Sequence, residues 1–362
     1  MSGKNLDGID EGQFRDQHSE KSNELRAQLK EQKRLLGLYK KEHGKISVFM
    51  QEVINTVPII DPAPVIYSPS NSEKKVSSPC TFVGHVTDVH LGAVQLPNEI
   101  EGFGEFNPEI CEQRQMSFVN KTIDWLGMHR YGYHVSEGHI IVTGDLISGD
   151  IHDELKITNA YPSPVQCVES GLLLAKQIAS WAPHFDKLIV HFLVADNHSR
   201  LTDRPQSKEE GLNSFNYIVG KFAEQAVSRH SNVDFRIYPQ YEKVIDIANL
   251  RYLIMHGHNL RGWMGIPWYS FERHVGKEAS ARMSQIMDAG DDLMTVAKKI
   301  GFHKMLTGHF HTPFDHPMYA CGGSVSGTDA YDHKSGRHAK PCQVAWFNHP
   351  KNGEFDRTPF QL

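Results

Sequence analysis

From Cys80 onward, short apolar runs rich in β-branched residues alternate with longer stretches in which apolar residues recur at helical spacing. The short runs predict strands at Thr81–Thr87, His139–Thr143, Lys187–Val194, Val233–Tyr238, Arg251–Met255, His303–Thr307 and Gln343–Phe347. The longer stretches predict helices at Pro108–His129, Pro164–Ala182, Leu212–Arg229 and Ala279–Ile300. Alternation of strands and helices predicts an α/β domain built in layers.

The first part of the chain follows another pattern. Residues from Glu20 to His43 are rich in Lys, Arg, Glu, Gln and Leu, which favour helix. One face of this predicted helix is basic, with Lys21, Arg26, Lys30, Lys33, Arg34, Lys40 and Lys41. A solvated face is the ordinary interpretation of such charge. The alternative is a surface that binds nucleic acid, a partner protein or a second copy of the chain.

Composition divides the chain further. Four prolines among several serines between Asp61 and Pro79 indicate a linker. The predicted organisation is therefore a basic helical extension at 1–60, a linker at 61–79 and a catalytic domain at 80–362. The net charge of −5 provides no whole-protein argument for nucleic-acid binding, so only a local basic patch could serve that role.

The cysteines, the first residues and the length of the apolar stretches indicate the cellular compartment. The five cysteines are odd in number and form no CxxC pair, which disfavours a disulfide framework or a zinc–thiolate site. The first residues are polar and lack the apolar core of a signal peptide. No apolar stretch has the length of a membrane span. We therefore expect a soluble cytoplasmic protein without membrane contact.

Residues that can bind metals stand at the ends of five predicted strands. They are Asp88 and His90, Asp145, Asn197, His256, and His309 with His311. A single histidine at a strand end is more often a packed or capping residue than a ligand. In α/β folds, however, the carboxyl ends of strands are where active sites form. Five strand ends of this kind favour two adjacent metal sites with nitrogen and oxygen ligands.

These residues occur in the motif order DxH, GD, xNH, H and GHxH. In this order the chain resembles the calcineurin-like metallophosphoesterase superfamily, over roughly Thr81 to Phe347. The resemblance implies an αββα sandwich. It also implies one ion held by Asp88, His90, Asp145 and His311, and a second held by Asp145, Asn197, His256 and His309. His198, which follows Asn197, would be the catalytic acid.

The implied chemistry is phosphoester hydrolysis. Two divalent metal ions can neutralise the charge that develops on a phosphodiester, and a hydroxide of lowered pKa can attack in line. His198 can then protonate the leaving oxygen. Ligands without cysteine suit manganese, which we expect first, and also iron, zinc or nickel.

Three positions depart from the superfamily pattern, and one of them is Ser148, which stands where a GDxxD form would have its second Asp. Asp196 replaces the glycine of GNH, where it could either crowd the phosphate or orient a ligand. Ser199 replaces the acidic residue that usually follows the motif. The next residue, Arg200, is a candidate phosphate contact, and a surface arginine or structural ion pair is the alternative. His258 is a second candidate substrate contact.

The run Asn197–Thr202 and the later run Gly322–Tyr331 resemble phage-encoded members of the superfamily, which would lie in the host cytoplasm. The motif order also resembles SbcD-type DNA repair nucleases.

The segment Asn259–His274 combines arginines with aromatic residues, a pattern that can hold bases and phosphates. A hydrophobic loop packed on the domain is the preferred interpretation. Three functions remain open. The first is a nuclease with nucleic acid as substrate, and the second is a phosphomonoesterase or small-nucleotide phosphodiesterase. The third is a metal-binding assembly subunit without catalysis.

Overall fold

The computed structural model of the chain describes residues 30, 33, 34, 37, 48, 50–66, 78–202, 204, 205, 207–261 and 265–362. The chain separates into two compact units, Met1–Val57 and Pro58–Leu362. In the first unit, the described residues 30, 33, 34, 37, 48 and 50–55 are helical. Most of the predicted basic helix lies outside the described residues, as do residues 67–77 of the predicted linker. The predicted boundaries at 60 and 79 stay predictions.

Two β-sheets form the centre of the second unit. One contains β1 (Ser78–Val86), β2 (Tyr133–Val142), β3 (Lys187–Leu193), β4 (Val233–Tyr238), β10 (Cys342–His349) and β11 (Gly353–Gln361). The other contains β5 (Glu242–Ile247), β6 (Leu250–Met255), β7 (Lys304–Thr307), β8 (Phe314–Asp315) and β9 (Tyr319–Cys321). The strand orders are β11-β10-β1-β2-β3-β4 and β5-β6-β7-β9-β8.

Helices connect these strands. They are α1 (Pro108–His129), α2 (Asp153–Thr158), α3 (Ser163–Trp181), α4 (Phe215–Ala226), α5 (Trp268–Asp288), α6 (Leu293–Ile300) and α7 (Ala330–Lys334). The start of α1 follows from local chemistry. The Asn107 side chain accepts a hydrogen bond from the Ile110 N–H at 2.9 Å. Pro108 lacks a backbone N–H, which suits the first helical position because an N–H there has no acceptor within the helix. Within the described ranges, no helix is both long and apolar enough to cross a membrane.

The main core lies between the two sheets. Val83, Ile141 and Leu193 from the first sheet pack against Ile254 and Leu306 from the second, and all five are buried. Because side chains alternate between the faces of a strand, their sequence neighbours point to the outer faces. Both faces of each sheet are therefore available for packing.

The outer faces are covered by helices. The Trp125 ring of α1 lies 4.5 Å from the Phe347 ring of β10. On the far side, the Phe271 ring of α5 stacks on Tyr319 of β9 at 5.2 Å. The result is a four-layer arrangement of helix, sheet, sheet and helix. It confirms the predicted αββα sandwich.

Strand direction brings the motifs to one edge. β1, β2 and β3 run parallel to one another, and β6 runs parallel to β7. The two sheets are tied together at this edge, because the His309 N–H donates to both Asp88 carboxylate oxygens, at 2.9 and 3.0 Å. The carboxyl ends of all five predicted motif strands therefore meet.

Some predicted elements were wrong. The helix predicted at Ala279–Ile300 is instead two helices, α5 and α6. Between them Gly290 adopts a φ of 55°, a left-handed conformation that does not continue a helix. The second half of Asn259–His274, predicted as a packed loop, forms the first turns of α5. Strands β5, β8, β9 and β11 were missed. β8 and β9 have only two and three residues, and β11 lies at the sheet edge, where none of its nine residues is fully buried.

Candidate metal centre

The structure brings all seven predicted ligands around one centre at this shared edge. Asp88, His90 and His311 offer ligand atoms that lie within 4.8 Å of one another. The Nε2 atoms of His90 and His311 are 3.0 Å apart. The Nδ1 atom of His311 lies 2.5 Å from the Asp332 carboxylate, which can only accept a hydrogen bond from it when ionised. His311 therefore turns Nε2 toward the centre.

A second group lies beside the first. Asp145, His256 and His309 also offer ligand atoms within 4.8 Å of one another. The Nε2 atom of His256 is 3.0 Å from Asp145 Oδ2 and 3.0 Å from Asn197 Oδ1. Its Nδ1 donates to the Thr143 carbonyl at 2.7 Å. Because Nδ1 is bonded to Thr143, Nε2 is the ring nitrogen that faces the two oxygens.

Asp145 connects the two groups. It also belongs with His90 and His198 to a third set whose ligand atoms lie within 4.8 Å. Its side chain is 1% exposed. A carboxylate in this position can bridge two ions, which is the arrangement that the resemblance implies for Asp145.

The backbone around the centre is strained. Five of the seven residues adopt left-handed φ angles, namely Asp88 (50°), His90 (48°), Asp145 (50°), His309 (71°) and His311 (58°). Such a conformation costs on the order of 1–3 kcal/mol for a residue with a side chain and persists where the surrounding structure enforces it. Strain of this kind concentrates at functional sites, and here it aims these side chains inward.

The pKa values of the two carboxylates of the centre are shifted in opposite directions. Burial raises the pKa of Asp88. Burial acts in the same direction on Asp145, but attraction to His256 and His198 outweighs it and holds the pKa of Asp145 well below its usual range. For His311, burial lowers the pKa, but the Asp332 charge outweighs burial and raises it to about 10.

The other imidazoles follow the same physics. Burial, and then the neighbouring His198, lowers the pKa of His90 well below its usual range. Burial, and then His256, lowers the pKa of His309 in the same way. The pKa of His256 rises to about 9, because the Asp145 charge outweighs burial. Neutral imidazoles such as His90 and His309 are ready ligands for a cation.

The donor atoms fit divalent metal ions. Two imidazole nitrogens 3.0 Å apart, at His90 and His311, repel each other unless a proton or a cation lies between them. Asp145 Oδ2 and Asn197 Oδ1 each lie 3.0 Å from His256 Nε2, and they likewise repel that nitrogen unless a proton or a cation lies between them. Nitrogen and oxygen donors without sulfur suit manganese, iron, zinc or nickel.

His198 stands beside this centre. Its Nδ1 donates to the Ser148 carbonyl at 2.7 Å, and its backbone N–H donates to Asp145 Oδ1 at 3.1 Å. Its Nε2 lies 4.0 Å from Asp145 Oδ2, and its side chain is 21% exposed. The ring is therefore oriented by a backbone carbonyl. Nε2 lies at the mouth of the centre.

Asp196 has a structural role. It is 1% exposed, and its Oδ2 accepts from the Asp145 N–H at 2.9 Å. Its Oδ1 accepts from the Ser199 N–H at 2.9 Å and also from the Ser199 hydroxyl. At Gly144, with φ of 99°, an added Cβ would lie 2.7 Å from Asp196 Cβ. Asp196 therefore points into the protein and positions the ligand loop, which supports the second of its two predicted roles.

The two predicted substrate contacts lie together. Arg200 donates from Nε to the Thr202 carbonyl at 2.9 Å and from an Nη to the Asn197 carbonyl at 3.1 Å. His258 Nε2 lies 2.6 Å from Glu210 Oε1. Both side chains line one cleft beside Asn197. A contact with substrate stays a prediction for each.

Sequence reasoning missed three acidic residues. Asp332 holds His311, and Asp329 caps α7 by accepting from the Asp332 N–H at 2.7 Å. Glu210 pairs with His258. The pattern Asp329-x-x-Asp332 is a recognisable helix start. No local signal, however, connects either Asp332 or Glu210 to its histidine partner.

No protein-family model matches this chain, and no curated protein matches it. Similar solved structures include a novel archaeal phosphodiesterase, at 9% identity and a TM-score of 0.32, covering 77% of this chain and 99% of that one. Another is Vps29 from Entamoeba histolytica complexed with zinc, at 11% identity, a TM-score of 0.25 and the same two coverages. The calcineurin-like phosphoesterase YfkN from Bacillus subtilis has 10% identity and a TM-score of 0.31, covering 78% of this chain and 91% of that one. Identities and TM-scores this low provide no argument about chemistry, so the site is interpreted from the side chains of this chain alone.

Proposed function

We propose that this chain is a metal-dependent phosphodiesterase that cleaves nucleic acid. The observation that carries the proposal is the pair of buried ligand groups joined by Asp145. One ion would be held by Asp88, His90, Asp145 and His311, and the other by Asp145, Asn197, His256 and His309. Manganese is the first candidate, and iron, zinc or nickel would suit the same donors.

Two bound divalent ions supply positive charge for the phosphate oxygens and lower the pKa of an attacking water. The protein has two further tasks. The first is to hold the donors in place, which the strained backbone and the Asp332–His311 contact serve. The second is to protonate the leaving oxygen. His198 suits that task, because Ser148 holds its Nδ1 and leaves Nε2 at the mouth of the centre.

The surface at the start of α5 supports nucleic acid as the substrate. Trp268 and Tyr269 are 47% and 74% exposed, and Arg273 is exposed in the next turn. The buried Phe271 packs 5.2 Å from the ring of Phe310, which directly follows the ligand His309. Exposed aromatic rings beside an arginine can stack bases and contact phosphates. This surface therefore lies close to the proposed centre.

A panel of metals and substrates tests the proposal. The full chain is stripped of metal and reloaded with manganese, iron, zinc or nickel. It is then assayed on single- and double-stranded DNA, on RNA, and on mono- and bis-p-nitrophenyl phosphate. We expect cleavage of nucleic acid and of the bis ester. We expect His198→Ala to lower kcat by about 10²–10⁴ with metal content retained, because general acid catalysis contributes that much.

His303→Ala is the matched control, since His303 is exposed and directly precedes β7, at the opposite end of that strand from the ligands. It should leave kcat unchanged. Hydrolysis of the monoester alone would indicate a phosphomonoesterase instead. Bound metal, measured by plasma mass spectrometry, without cleavage of any substrate would favour a metal-binding assembly subunit without catalysis. Either result would refute the nuclease proposal.

A further inference from the structure

The loop between β2 and α2 contains a peptide group to which two side chains are hydrogen-bonded. Its carbonyl belongs to Ser148 and accepts from His198 Nδ1 at 2.7 Å. Its N–H belongs to Gly149 and donates to Gln166 Oε1 at 2.9 Å. A peptide group is planar and nearly rigid. The His198 imidazole and the Gln166 amide are therefore joined through one rigid unit.

The hydrogen bonds of this unit run in one direction. The Ser148 carbonyl can only accept, so His198 Nδ1 donates to it whether the imidazole is neutral or charged. At the other end, Gln166 Nε2 donates to the Tyr161 carbonyl at 2.7 Å. Because Gly149 offers a donor and Tyr161 an acceptor, only one orientation of the Gln166 amide satisfies both. Hydrogen bonds in such a chain polarise and strengthen one another.

Gln166 is held firmly at this position. It lies in the first turn of α3 and is 0% exposed. Gly92, two residues after the predicted ligand His90, packs so closely against it that an added Cβ would lie 2.5 Å from Gln166 Cδ. The peptide after Gly149 is also fixed, because Asn159 Nδ2 donates to the Gly149 carbonyl at 2.5 Å. The loops that follow β1 and β2 therefore meet on this one side chain.

We propose that Gln166 is a positioning residue for His198 and acts on it through the Ser148–Gly149 peptide. This inference rests on the proposed phosphodiesterase function. His198 can protonate a leaving oxygen only within hydrogen-bonding distance, and a displacement of about 1 Å can lower a rate about 100-fold. Without the Gln166 oxygen, the buried Gly149 N–H would lose its acceptor. The peptide would then rotate toward another partner and move the His198 ring with it.

Esters with different leaving groups test the inference on the metal-loaded full chain. p-Nitrophenolate is a weak base that leaves readily without a proton, whereas phenolate is a stronger base and benefits from an acid. Gln166→Met removes both amide groups and nearly keeps the side-chain volume. We expect its kcat for diphenyl phosphate to fall about 10- to 100-fold, and its kcat for bis-p-nitrophenyl phosphate to stay close to that of the wild type. Gln166→Glu retains an oxygen that can accept from Gly149 and should lose less.

Gln177→Met is the matched control. Gln177 is another buried glutamine of α3, about three turns farther along the helix, and its Nε2 donates to Gln115 Oε1 at 2.7 Å. This variant loses a comparable buried hydrogen bond and should leave the ratio of the two kcat values unchanged. The melting temperature and metal content of each variant show whether it is folded and loaded.

A double-mutant cycle separates positioning from a general structural role. In the His198→Ala background, Gln166→Met should have little further effect on kcat for diphenyl phosphate, because the side chain that Gln166 positions is absent. Two independent effects would instead multiply. Hydrogen exchange of the Gly149 amide in the metal-free chain gives a readout without catalysis. We expect faster exchange in Gln166→Met than in Gln177→Met, because only the first variant removes the acceptor of that amide.

An unchanged ratio of the two kcat values in folded Gln166→Met, or multiplying effects in the cycle, would overturn this inference and leave the phosphodiesterase proposal standing. A wild-type chain that cleaves bis-p-nitrophenyl phosphate but not diphenyl phosphate would also overturn it, since no acid then assists the leaving group. Failure of the wild type to cleave either ester would overturn both proposals.

Discussion

The contact between His311 and Asp332 makes a sharp prediction about metal affinity. Asp332 is 2% exposed, and its carboxylate lies 2.5 Å from His311 Nδ1 and 2.7 Å from the Arg337 guanidinium. It fixes the orientation of the ring and makes Nε2 a better electron donor. In Asp332→Asn an amide oxygen can still accept from Nδ1, but the charge is lost.

Replacing a partner of this kind costs about 10- to 100-fold in metal affinity. Because the amide keeps a neutral hydrogen bond of roughly half the strength, we expect a loss near the lower limit, about tenfold or ~1.4 kcal/mol. The pKa of His311, raised to about 10 by Asp332, should fall in the metal-free variant. Two observables therefore report on one contact.

The assay is competition for manganese or zinc against a chromogenic chelator, with imidazole NMR for the His311 pKa. Asp356→Asn is the matched control, because Asp356 also pairs with a histidine, His129, at 2.9 Å, but is 56% exposed. That control should bind metal like the wild type. An unchanged metal Kd in folded Asp332→Asn would refute the role assigned to this carboxylate.

Three further predictions follow from burial. His139 and His191 are buried with pKa values below 6.5, chiefly through desolvation. Since the unfolded chain then binds protons that the folded chain does not, the free energy of unfolding should fall below about pH 6.5, as urea titrations can measure, and less steeply in His191→Phe. All five cysteines are buried and free, and burial raises their pKa values, so thiol reagents should label none before unfolding and five after it. In Gly308→Ala the added Cβ would lie 2.5 Å from Asp88 Oδ2, so bound metal, measured by plasma mass spectrometry, should decrease; full metal content would contradict this.

Much of the fold could be predicted from the pattern of residues. The strand β4 at Val233–Tyr238 and the helix α1 at Pro108–His129 match their predicted bounds, whereas β2 begins at Tyr133, six residues before its predicted start. These elements carry a strong period or a clear cap. β11 could not be predicted because this edge strand is half polar. The break at Gly290 could not be predicted because the sequence does not show the φ angle of a single glycine.

The same division applies to the candidate site. The sequence by itself determined which residues could serve as ligands, since Asp88, Asp145 and His256 each follow the carboxyl end of a parallel strand, and such ends meet at one edge of a sheet. Only the tertiary structure decided what holds those ligands. Asp332 reaches His311, Asp196 reaches the Asp145 backbone, and Glu210 reaches His258 through contacts that no local pattern encodes. The physical reason is that the alternation of strands and helices along the chain indicates parallel strands, whereas a hydrogen bond between loops depends on how the two sheets pack.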